Sequence, residues 1–203
     1  MKHTREKIVA QAMQLFAVKG YQAVSIRDIA GKVGIRESSI YNHFENKQAI
    51  FDEIIRLCTE EMQNWFMRVQ VPERAGADVS MYDGLSYELL EKKIMDTFRF
   101  YFENESAVLL RRILLISQFD NERCRALYRR LFYEEPVRIQ TAVFARQMET
   151  GAFRKADPGK AAVEFYGPVF LLLHVSDSFE QIREALTAHL QEFLHNYAKG
   201  GKI

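Results

Sequence analysis

Apolar positions recur at helical spacing along most of the chain, and no stretch alternates convincingly at the period of a strand. The first predicted helix covers about residues 4–18. Thr4 stands as a candidate N-cap, Ile8, Ala12, Leu15 and Phe16 form an apolar stripe, and Gly20 follows where a left-handed stop is wanted. "SIRD" opens the second: Ser25 is placed to cap the Asp28 amide while Asp28 reaches back, and Gly34 ends a run buried through Ile26, Ile29, Ala30 and Val33. A third, short helix begins near Arg36 with Ile40 and Phe44 set toward a core. A long helix from Asn46 continues through Ile50, Ile54, Leu57, Met62, Trp65 and Phe66 until "VPERAGADVS" breaks the pattern. Further helices are predicted over about 82–103, over "AVLLRRILLISQF", and over about 122–149 with Pro136 starting or kinking a section. Of the last two, one starts at the N-cap Asp157 and Pro158 and is predicted to kink at Gly167 and Pro168. The other carries Ile182, Leu186, Leu190, Phe193 and Tyr197.

Two short helices joined by a tight glycine turn, the second with a narrow buried stripe, form a helix-turn-helix. In that geometry the second helix enters the major groove of DNA, and its first turns meet base edges. Glu37, Ser38, Ser39, Tyr41 and His43 are left on its outer faces, although a three-helix cap with a solvated polar face has the same spacing. The expected fold is therefore all-α: an N-terminal three-helix domain over 1–50, followed by a larger helical domain over 51–203.

Charge sharpens this division. The chain of 203 residues has a net charge of only +1, yet residues 1–50 hold eight Lys and Arg against four carboxylates, +4, which leaves 20 against 23, −3, for the remainder. Local positive charge is what a phosphate backbone requires. At 48% hydrophobic and 27% charged the composition is that of a folded protein. No basic leader with a cleavage site opens the chain, and the apolar run from Val169 to Val175 is too short to span a bilayer, so a cytoplasmic protein without membrane attachment is expected. Cys58 and Cys124 lie far apart without a second thiol or histidine at ligand spacing, which predicts neither disulfide nor metal, and no cofactor is called for.

The ordered elements "A..LF...GY" at Ala12 to Tyr21, "SIRDIA" at Ser25 to Ala30, "VG" at Val33 and Gly34 and "IY.HF.NK" at Ile40 to Lys47 resemble the DNA-binding domain of the TetR family of bacterial transcriptional regulators, over roughly residues 3–51. The resemblance implies that Glu37, Ser38 and Ser39 face base edges of double-stranded operator DNA, that Tyr41 and His43 hold its backbone, that Lys47 meets a phosphate, and that Arg27 faces DNA. Hydroxyls, imidazole, ammonium and guanidinium suit these roles, whereas a carboxylate at Glu37 helps only by accepting from a cytosine amino group. Tyr41, His43 and Lys47 also have plain structural readings, as packing, surface histidine and helix-start residue. Arg36 stands where many members have a capping Ser or Thr; it cannot cap through a side-chain oxygen and is a further candidate DNA contact.

For the remainder, the resemblance implies a cavity for a small-molecule effector and a homodimer formed by the last two helices, although an internal core explains their apolar faces equally well. Fifteen Phe, nine Tyr and one Trp supply candidate lining. The expected residues are Met62, Trp65, Phe98, Tyr101, Phe102, Tyr128, Phe165, Tyr166 and His174, with aromatic core packing as the alternative. The implied function is a ligand-responsive repressor released from a palindromic operator. The alternatives are an activator and a protein-interaction adaptor. No nucleophile elbow, HExxH, phosphate-binding glycine loop or Glu-x-x-His pair points to an enzyme.

Overall fold

A computed structural model describes residues 2–72, 76 and 78–199. Its α-helices are α1 (Lys2–Lys19), α2 (Ile26–Val33), α3 (Glu37–Tyr41), α4 (Lys47–Val69), α5 (Tyr87–Glu103), α6 (Glu105–Ser117), α7 (Glu122–Arg129), α8 (Glu135–Glu149), α9 (Pro158–Val175) and α10 (Phe179–Tyr197). A 3-10 turn at Ser80–Tyr82 precedes α5, and a π-helical turn at Arg130–Glu134 joins α7 to α8. No strand occurs among the described residues, where the one isolated bridge pairs Phe153 with Ala198.

Three expected boundaries shift. The first helix starts at Lys2, so Thr4 lies within it and caps nothing. The helix expected from Tyr82 begins at Tyr87, because the Ser86 hydroxyl accepts from the Leu89 amide and Gly84, at φ 72, interrupts the chain before it. The run over 122–149 is divided by the π turn. Pro136 has no amide to give the Phe132 carbonyl four residues back, and the Tyr166 hydroxyl donates to that carbonyl at 2.9 Å instead. The expected break over 71–80 lies partly outside the described residues.

The chain packs into two compact units, Met1–Met62 with Glu105–Arg129, and Gln63–Asn104 with Arg130–Ile203. In the first, the rings of Phe16, Tyr21 and Phe51 meet at centroid distances of 4.9–6.2 Å, over a floor of Ile8, Ala12, Ile50 and Ile54. Gly20 ends α1 at φ 79, and a Cβ there would meet Ile116 of α6 at 3.1 Å, so position and packing both require glycine. Beside it the buried Tyr21 amide donates to the Ser117 hydroxyl at 2.9 Å. At the surface Glu53 accepts from Arg56 and Arg5, which hold its carboxyl down at about 2.

In the second unit α5, α8, α9 and α10 enclose an aromatic core. Phe193 lies 5.1 Å from both Phe144 and Phe165 and 4.6 Å from Tyr197. Asp157 caps α9 by accepting from the Lys160 amide, with Pro158 in the first turn as expected. The end of α10 is tied to the α8–α9 connection by Arg154 N–H to the Tyr197 carbonyl, 2.8 Å, and Lys199 N–H to the Ala152 carbonyl, 2.7 Å.

Candidate functional site

The local chemistry of "SIRDIAGKVGIRESSIYNHF" sets the angle between two short helices. Ser25 and Asp28 form the reciprocal capping box, 3.1 Å from the Asp28 amide to the Ser25 hydroxyl and 2.8 Å from the Ser25 amide to the Asp28 carboxylate. The bonds from Ser25 lower the Asp28 carboxyl. Gly34, at φ 80, closes α2 with its amide on the Ala30 carbonyl. The chain then turns through Arg36 into α3, which is five residues long and has no side-chain cap. Ile40 and Phe44 are buried and fix α3 to the core, so Ser38 and Tyr41 stay exposed.

The expected DNA-facing residues fall into three groups. Arg36, Ser38 and Tyr41 are exposed, Tyr41 by 55%, while Ser39 and His43 are half-buried beside them. Arg27 and Glu37 pair with each other across the two helices, 2.8 Å from Arg27 Nε to Glu37 Oε1, and the hydrogen bond raises the guanidinium pKa. Lys47 is directed inward. Its ammonium donates to the carbonyls of Tyr21, 2.8 Å, Val24, 2.9 Å, and Gln22, 3.4 Å, and lies 4.3 Å from the centre of the Tyr21 ring. Burial lowers its pKa. Three donors meet three carbonyls, so the side chain staples the loop before α2 to the start of α4. Tyr21 completes the clamp by donating to Gln48 at 3.0 Å. Gln48 was not singled out from the sequence, since its partner lies 27 positions away.

The expected effector residues are divided between the two units. Met62 and Tyr128 are buried in the first unit, where burial pushes the Tyr128 phenol up to about 12. The others belong to the second unit. Trp65 stacks on Phe100 at 4.4 Å and borders an open cleft with Asp96, Arg99 and Glu103. Phe98 and Phe102 are core residues, and the Tyr101 phenol, raised by burial, packs 6.1 Å from Phe132. Tyr166, Phe170 and His174 form a row along α9 with ring separations of 6.2 and 4.3 Å, and His174 Nδ1 is bonded to the Phe170 carbonyl. Phe165 borders a narrow cavity of about 30 Å³ among α5, α8, α9 and α10.

A short helix pair with an exposed polar second member, set among described residues that are otherwise helices and their connections, has the geometry of a helix-turn-helix. Residues 8–54 match the bacterial regulatory proteins of the tetR family, so this domain is similar to the DNA-binding domain of that family. Among curated relatives, the biofilm operon icaADBC HTH-type negative transcriptional regulator IcaR of Staphylococcus aureus (strain Newman) is 35% identical over 66 residues, 32% of this chain and 36% of the relative. IcaR of Staphylococcus epidermidis (strain ATCC 35984) is 36% identical over 92 residues, 45% and 46% of the two chains. The matches thus span less than half the length of these relatives. Solved structures are similar over nearly the whole fold. A SmeT–triclosan complex has a TM-score of 0.68 at 22% identity, covering 98% of this chain and 93% of that one. AibR in complex with isovaleryl coenzyme A and operator DNA has 0.62 at 19% identity, covering 91% and 96%. No helix among the described residues is long and apolar enough to cross a membrane.

Proposed function

We propose that the chain is a ligand-responsive, sequence-specific DNA-binding transcriptional regulator, acting as a homodimeric repressor that a small-molecule effector releases from a palindromic operator. The observation that carries this reading is α3 itself: two apolar residues anchor it, and Ser38, Tyr41 and the adjoining Arg36 are left outward over a +4 stretch of chain. The IcaR relatives are negative regulators of transcription, AibR binds operator DNA together with an acyl coenzyme A, and SmeT binds triclosan, each of which supports it by likeness. In this reading residues 1–50 are the DNA-binding domain and 51–203 the ligand-binding and dimerisation domain. Arg27, Arg36, Glu37, Ser38, Ser39, Tyr41 and His43 form the contact surface, and Lys47 sets its shape from beneath.

The test is fluorescence anisotropy with DNA from immediately upstream of the protein's own coding region, at two salt concentrations, against a scrambled duplex. Specific binding that weakens with salt, and that Tyr41→Ala reduces by about tenfold or more without lowering the melting temperature, is the expected outcome. Equal binding to both duplexes, together with failure to select any site from genomic fragments, would remove the reading.

A further inference from the structure

Gln147 lies in the last turn of α8, 1% exposed, and among the described residues neither its side-chain amide nitrogen nor its side-chain carbonyl oxygen has a hydrogen-bond partner. Buried polar groups are nearly always paired, and an orphaned amide is destabilising at each unmet atom. Here both atoms of one side chain are unmet. The residue borders the narrow cavity whose other walls include Tyr82, Phe144, Phe153, Phe165 and Phe193. Among the described residues, no Asp, Glu, Lys, Arg or His lines it. The Tyr82 phenol, pushed up to about 12 by burial, is neutral.

These features restrict what the cavity can accept. An anion or cation entering it would lose its hydration and find no counter-charge, which excludes carboxylates and amines in their charged forms. A pure hydrocarbon would fill the aromatic walls but leave the amide as it is. What satisfies Gln147 is an uncharged group offering an acceptor to its N–H and a donor to its C=O along one edge. A primary amide or a lactam has that edge. At about 30 Å³ the cavity has room for little more than a water, so a ligand with an apolar body must enlarge it. Ile94 on α5 and Gln140 on α8, which are partly exposed and also border it, give the side from which it can open.

The geometry points to a ligand site for a small neutral amide or lactam with an apolar body, read by a paired hydrogen bond to Gln147 and enclosed by the aromatic rings of α8, α9 and α10. As the place where a regulatory compound acts, it rests on the ligand-responsive reading above; as a binding site it stands on the orphaned amide. The empty site holds an unpaired amide that the occupied one satisfies, so occupancy and structure are linked without a charged contact.

Propionamide and benzamide are the probes, with acetophenone, benzoate and ethylbenzene as partners that lack the donor, carry a charge or lack both groups. Their affinities for the full-length protein are read from the ligand dependence of its melting temperature, and Gln147→Met is compared as a variant of similar volume. The amides are expected to bind the native protein about tenfold or more tightly than their partners, and Gln147→Met to remove that preference while ethylbenzene stays within about twofold. Without ligand, Gln147→Met is expected to melt higher, because the orphaned amide is gone. Two results would overturn the site: an unchanged ligand order in Gln147→Met, or no amide binding together with a lower melting temperature for the variant, which would assign the cavity to ordered water. Anisotropy on the same samples separates this from the regulatory reading. Gln147-dependent amide binding that leaves DNA affinity unaltered supports the site and removes its regulatory role. Release of DNA by another compound, equally in both proteins and with no amide bound, keeps the regulator and removes the site.

Discussion

Glu37 and Lys47 show how single side chains decide what the helix-turn-helix can offer to a polyanion. The Arg27 guanidinium of α2 has its side chain 85% exposed, yet its Nε is bonded to the Glu37 carboxylate. Such an exposed pair contributes little stability, but it cancels a charge on the face proposed to meet DNA. Glu37→Gln is therefore expected to tighten operator binding several-fold and to steepen its salt dependence, as measured by anisotropy between 50 and 200 mM salt, ranges in which each added phosphate contact is visible as about one unit of slope. If Glu37 instead reads a cytosine, the same variant weakens binding at that base pair alone. Lys47 gives the opposite signature. Its three donors are taken up by the carbonyls of Tyr21, Gln22 and Val24, so Lys47→Met should lower stability by about 1–3 kcal/mol in denaturant unfolding while leaving the slope of log affinity against log salt unchanged. A fall of about one unit in that slope would mean that the ammonium meets a phosphate.

At the scale of elements, the proposed recognition helix is short and weakly started. α3 has five residues, and Arg36 occupies its N-cap with extended backbone, φ −74 and ψ 149, but offers no acceptor to the free amides. A serine at that backbone geometry can cap. Arg36→Ser should raise stability by about 0.5–2 kcal/mol in thermal or denaturant unfolding and, in the same protein, weaken DNA binding through loss of the guanidinium. Gain on both counts would show that Arg36 makes no contact with DNA. The sequence revealed those parts of this region that are settled within three or four residues. The Ser25–Asp28 box, the left-handed Gly34 and the Ile40–Phe44 anchor are each local, and each could be read from spacing. The staple was hidden because Lys47 binds a loop 23–26 positions away, and no periodicity reports such a pairing. The late start of α5 was misjudged because Tyr82 continues an apolar stripe that Gly84 and the Ser86 cap cut short. Gln147 left a faint trace: it holds a core position in the stripe of Val143, Phe144 and Met148, a polar residue where the period calls for an apolar one.

For the whole molecule, charge and size together argue for two-fold recognition. The +4 of residues 1–50 is offset by −3 over the rest, so in the proposed reading a phosphate backbone is met by the N-terminal region, and the five helical residues of α3 reach only a few base pairs. One such helix cannot distinguish an operator from the many near-matches in a genome. Two copies joined with their recognition helices about one turn of DNA apart, 34–36 Å, double the read sequence and make the second contact effectively intramolecular. Spacing then becomes a measurable property of the protein. Inserting five base pairs between the two half-sites of a selected operator turns one half-site to the opposite face of the duplex. Binding should fall by about two orders of magnitude, the contribution expected when a linked second contact is lost. Restoring a full turn returns the faces to register but lengthens the span by about 34 Å, so a rigid dimer should not recover its affinity, whereas two independently binding chains would show no dependence on either insertion. Sedimentation of the unmodified complex should give two chains per duplex at every protein concentration that supports specific binding. One chain per duplex with full specificity would rule out the dimer and require further base contacts from outside α3.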